Sequence, residues 1–83
     1  MFEDIIQLIK QVAQDRTVPR NIRSKCEEAI AALQSEKDAV PIRINTAISI
    51  LDEISSDVNL PMYARTQIWN IASLLEAKQK SVS

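Results

Sequence analysis

The chain has no histidine, no glycine and a single cysteine, Cys26, among its 83 residues. Without His and with one Cys, neither a multi-Cys or His-based metal site nor a nucleophile–His pair can be assembled. The lack of Gly removes every phosphate-cradling loop that needs backbone without a Cβ, the P-loop and the dinucleotide fingerprint included. Neither sign of charge dominates: 10 basic residues face 11 acidic ones, for a formal net charge of −1 and a pI near 5.3. A nucleic-acid binder usually carries a clear basic excess to displace counterions, and that excess is missing. Long apolar runs are missing too. Lys10 closes the first one early, and Met1-Phe2-Glu3-Asp4 lacks the positive start of a signal peptide. A lone thiol cannot form an intramolecular disulfide and fits a reducing compartment, so a cytoplasmic location is expected and no membrane association. Cys26 stands midway between Ile22 and Ile30 at four-residue steps, the spacing of a small apolar core residue.

What is present is a repeat. Sliding the chain against itself places Pro19 on Pro61, an offset of 42 residues, and brings Ile6 onto Ile48, Asp15 onto Asp57, Arg23 onto Arg65 and Leu33 onto Leu75 without a gap. Similar residues fill the spaces, among them Leu8/Ile50, Ile9/Leu51, Val12/Ile54, Val18/Leu60 and Ser24/Thr66. Each half reads as one helical hairpin, and the period lies in the range of HEAT-type repeats.

Apolar residues recur at three- and four-residue steps through Phe2, Ile5, Ile9 and Val12, and again through Ile44, Ala47, Ile48, Leu51 and Ile54, the periodicity of one-faced helices. The second helix is expected from about Val18 to Ser35 and the fourth from Leu60 to about Lys78. Thr17 and Asn59, two residues before the prolines, are the expected N-caps. The link from Glu36 to Val40 is short, and Pro41 opens the third helix; short links join antiparallel neighbours. The expected fold is therefore all-α: an up-and-down four-helix bundle of two repeated hairpins, about 2–36 and about 41–78, in a single domain of residues 1–80, with 81–83 as a frayed tail. The alternative is a fragment of a two-repeat solenoid, which would have to close on itself or dimerise.

Three features carry chemistry. Asp15 and Arg23, repeated as Asp57 and Arg65, span each corner and can pair with each other or with free backbone groups; duplication marks them as scaffold. Arg16, Arg20, Arg23 and Lys25 form a cationic corner without an intervening acid, a candidate contact for an anionic partner. The second hairpin has Val58, Met62 and Gln67 in place of three of them. Finally, Met62, Tyr63, Trp69 and Leu74 make the fourth helix apolar beyond its core stripe, where the second has Arg20, Asn21, Glu27 and Ala32. Trp, Tyr and Met are enriched at interface cores, so Met62, Tyr63 and Trp69 are the candidate partner contacts. The adjacent carboxylates Glu3/Asp4, Glu27/Glu28 and Asp52/Glu53 point about 100° apart on a helix and cannot share a site.

The stretch Ala47 to Ser55, followed by Leu60-Pro61, Ala64-Arg65-Thr66 and Ile68-Trp69, resembles a small archaeal protein family of unknown function, as does Thr17 to Arg23 in the first half. The resemblance covers nearly the whole chain and departs at the less acidic link Ser35 to Asp38. It implies a compact all-helical four-helix bundle from an archaeal cytosol, and it brings no activity, ligand or catalytic residue. The functional expectation is a non-catalytic interaction or scaffold module, binding a protein partner or itself through the fourth helix, with no cofactor, metal or small-molecule ligand. The alternative is a nucleic-acid or ribonucleoprotein accessory that uses Arg16, Arg20 and Lys25.

Overall fold

The computed structural model describes residues 1–82. Four helices follow one another: α1 (Glu3–Ala13), α2 (Arg20–Gln34), α3 (Val40–Ser55) and α4 (Met62–Val82). Each packs on its neighbour in sequence, and α1 closes the ring on α4, while α1 and α3, like α2 and α4, stand diagonal to each other with no Cα atoms of the described residues within 8 Å. This is the up-and-down bundle. The likeness to HEAT-type repeats rests on the length of the period alone, since the helices run round a closed ring rather than along a stack. At about 1.5 Å per residue, the 21 residues of α4 span most of the 34 Å long axis.

The repeat governs burial residue by residue. The first hairpin buries Phe2, Ile5, Ile9, Val12, Val18, Ile22, Cys26, Ala29, Ile30 and Leu33, and every one has a buried counterpart 42 positions on, from Ile44 to Leu75. No other described residue is buried and no polar side chain is. The two oily faces therefore close on each other, and the hydrophobic effect fixes the bundle because neither hairpin can bury its stripe alone.

The corners repeat as well. Asp15 N–H bonds to the Val12 carbonyl and Val18 N–H to that of Asp15, and the same pattern joins Asp57 to Ile54 and Leu60 to Asp57. No described residue takes a positive φ, so these corners need no glycine. Thr17 and Asn59 do not cap the helices. The N-cap of α2 is Pro19, at φ −53° and ψ 147°, without a side-chain bond. The residue before a proline is disfavoured in the helical region, and Pro19 itself stays extended, so α2 starts only at Arg20. Thr17 and Asn59 instead donate their N–H groups to the Oδ1 atoms of Asp15 at 2.9 Å and Asp57 at 2.8 Å.

Between the hairpins, Ser35 Oγ bonds Asp38 Oδ2 at 3.1 Å and Arg43 Nε donates to the Asp38 carbonyl at 2.8 Å, while Pro41 sits in the first turn of α3. This turn stops α2 at Gln34. The fourth helix runs through Ser81 and Val82, two residues of the segment expected to fray; Ser83 lies outside the described residues.

Candidate functional site

The exposed apolar residues of α4 divide into two stripes. Met62 and Trp69 are seven residues apart, about 20° off register on the helix, and both are exposed, at 64% and 53%. They lie on the side toward α3, where Arg65 Nη2 donates to the Asp57 carbonyl at 2.7 Å and Gln79 bonds Asn45. Tyr63 and Leu74 form the other stripe, toward α1. The three candidate partner contacts are thus not one patch: Tyr63 is turned away from Met62 and Trp69.

Tyr63 has a partner within the chain. Its hydroxyl donates to Asp15 Oδ2 at 2.6 Å and meets the Thr17 hydroxyl, which itself donates to Asp15 Oδ1 at 2.6 Å. The first turn of α4 is thereby tied to the α1–α2 corner, and both corners lie at one end of the bundle. The Thr17 hydroxyl first, then Tyr63, hold the Asp15 carboxyl below its ordinary range. Asp15 was expected to pair with Arg23 or with free backbone groups of the corner, and the bond to Tyr63 was not foreseen. Its signal was Tyr63 itself, standing where the repeat has Asn21, too short to reach across a comparable gap. Arg65 serves the backbone through its bond to the Asp57 carbonyl, and the Nε atoms of Arg23 and Arg65 are buried without a partner.

The cationic corner is dispersed. Arg16 and Arg20 are exposed and Arg23 is half-buried. Lys25 lies five residues after Arg20, about 140° round the helix, and its Nζ is 3.1 Å from Glu53 Oε2 of α3. Arg20 and Lys25 therefore do not share a face. Cys26 is fully buried, and desolvation, with Glu27 nearby, pushes its thiol up to about 11. Among the described residues no group of three or more His, Cys, Asp or Glu side chains could hold a metal ion, and no helix is long and apolar enough to cross a membrane.

Shallow grooves mark the surface, three of them between or at the ends of the helices. One of about 400 Å³ lies at the end opposite the corners, beside Phe2, Glu3, Leu33, Glu36 and Arg43. Another of about 230 Å³ runs between α1 and α2 beside Lys10 and Glu27. The third, about 170 Å³, separates α1 from α4 and is lined by Leu8, Gln11, Gln67, Asn70 and Ile71.

Residues 1–77 match the model of an uncharacterised protein family, UPF0147. The chain belongs to this family. Among UPF0147 relatives, the protein PF0239 of Pyrococcus furiosus is 49% identical over 76 residues, covering 90% of this chain and 82% of its own. Protein Ta0600 of Thermoplasma acidophilum is 37% identical over 81 residues, covering 98% and 92%. Two crystal structures are similar at a TM-score of 0.87. One, described as unknown function protein MMP1188, is 44% identical and covers 90% of this chain and 85% of that one. The other, a UPF0147 protein from Thermoplasma acidophilum, is 37% identical and covers 92% and 89%. The relatives are archaeal, and the UPF0147 family brings a fold without an activity.

Proposed function

We propose that the chain is a non-catalytic helical module that binds another protein, a second copy of itself included, through the outer face of α4 around Met62 and Trp69. One observation carries this reading. The first hairpin buries the same positions as the second, yet it places Glu27 and Arg20 where the second has Trp69 and Met62. The fold itself thus tolerates charge at both places, and a half-exposed Trp there is surplus to the core. Exposed Trp and Met on one stripe have the chemistry of an interface hot spot.

The test is Trp69→Glu, which writes the first hairpin's residue into the second. The expected outcome is a folded variant with a melting temperature within a few degrees of the parent, which loses self-association by solution mass or loses partners captured by the parent. A variant that unfolds would return Trp69 to the core and end the proposal. The nucleic-acid alternative draws on Arg16 and Arg20 alone once Lys25 is engaged with Glu53. Retention on RNA or DNA that falls steeply with salt would revive it.

A further inference from the structure

The ring has two seams between hairpins, and the repeat makes them counterparts: α2 on α3, and α4 on α1. The α2/α3 seam is the most extensive helix interface in the bundle and the α1/α4 seam is the least. From residues 2–33 against 44–75, exposure agrees at every position except two. Lys25 is half-buried where Gln67 is exposed, and Ala32 is half-buried where Leu74 is exposed. Both exceptions sit on these seams, and at both the α1/α4 side is the more open. Cross-seam chemistry differs accordingly. Lys25 reaches Glu53 across α2/α3; their counterparts Gln67 and Gln11 line the cleft between α4 and α1 instead.

The side chains supply the cause. On α2 the seam carries Ala29 and Ala32, which let α3 come close, whereas α4 carries Ile71 and Leu74 at the same places and holds α1 away. In addition, α1 has 11 residues against 16 in α3. A helix of that length is not stable in water by itself, so once undocked it melts. At its corner end the seam is bridged by the bond from Tyr63 of α4 to Asp15, in the corner that follows α1.

We propose that the α1/α4 seam is the opening edge of the bundle, that α1 detaches from it before any other helix yields, and that Tyr63 on Asp15 is the latch. Detachment uncovers the apolar faces of α2 and α4 while the α2/α3 seam stays closed. The device is independent of Trp69, which lies on the far side of α4.

Native-state hydrogen exchange, resolved by residue, tests it in the parent, in Tyr63→Phe and in Lys25→Gln. The amides of α1 are expected to exchange at least about tenfold faster than those of α3. Tyr63→Phe removes the latch oxygen, and α1 exchange should rise about fivefold further with α3 unchanged. Lys25→Gln, at the opposite seam, should leave α1 exchange as it was. Equal protection of α1 and α3 would overturn the opening edge. An α1 unmoved by Tyr63→Phe, or one that shifts together with all four helices, would overturn the latch.

Discussion

The two hairpins bury the same set of positions, and the two seams between them still differ. Across α2/α3 stand small residues, Ala29 and Ala32, and an ion pair between Lys25 and Glu53. Across α4/α1 stand Ile71, Leu74 and a cleft lined with carboxamides, closed at one end by Tyr63 and Asp15. The comparison separates two levels of encoding. The period of buried residues determines that a four-helix bundle forms, because any other arrangement leaves one stripe wet. Edge residues determine how closely each pair of helices approaches, and these the repeat has not preserved.

The largest expected effect tests whether the seams matter to the core behind them. Ile9 and Leu51 are counterparts and both are fully buried. Truncating either to Ala should cost about 2–5 kcal/mol through lost transfer energy and the cavity left behind. Leu51 belongs to α3, which is fixed by the two most extensive interfaces, so its cavity cannot collapse and Leu51→Ala should lie at the upper end. Ile9 belongs to α1, which can settle inward, so Ile9→Ala should lie lower. Equilibrium denaturation by urea measures both. Equal losses would mean that the open seam gives the core no freedom to relax.

A second, smaller difference lies inside the core, where Cys26 occupies the position that Ile68 fills in the other hairpin. Burial and then Glu27 raise this thiol from 9.0 to about 11. In the unfolded chain the proton leaves near 9, so between these values the native state holds more protons than the unfolded state. Its contribution is whole below pH 9 and is lost as pH rises through 11, with a slope of at most about 1.4 kcal/mol per pH unit. The stability of the parent relative to Cys26→Ala should therefore fall between pH 9 and 11. A difference that stays constant over that range would show that the thiol is not desolvated in the way its burial requires.

Much of this was legible from residues alone. The 42-residue register fixed the helix pairs and their buried faces, because apolar spacing at helical period is a direct record of what must leave water. The helix starts were misread: Thr17 and Asn59 have the side chains of caps, but the prolines after them delay the helix, and the acids Asp15 and Asp57 take the N–H groups instead. Helical spacing alone sets Tyr63 on the other side of α4 from Met62 and Trp69. Its bond to Asp15 depends on a contact between residues 48 positions apart, which no local pattern announces. Likewise Arg20 and Lys25 are near in sequence and apart on the helix, and the acid that engages Lys25 comes from α3.

The smallest effect is the sharpest test of seam width. Gln11→Glu with Gln67→Lys would write the Glu53 and Lys25 pair into the opposite seam at the same register. A double-mutant cycle on the native pair, through Lys25→Gln and Glu53→Gln, should give a coupling of about 0.2–1 kcal/mol at low salt, the range of exposed ion pairs. The transplanted pair meets the same helix orientation in a more open setting, since Gln67 is exposed where Lys25 is half-buried. The distance to be crossed differs, since Ile71 and Leu74 hold α1 away from α4. Its coupling should therefore be smaller than the native one, and both should shrink with added salt as screening sets in. Thermal or urea denaturation at two ionic strengths measures the two cycles side by side. Equal couplings would mean that the helices of both seams stand equally close, in which case the cleft between α1 and α4 is a matter of side-chain volume alone and α1 has no reason to open first.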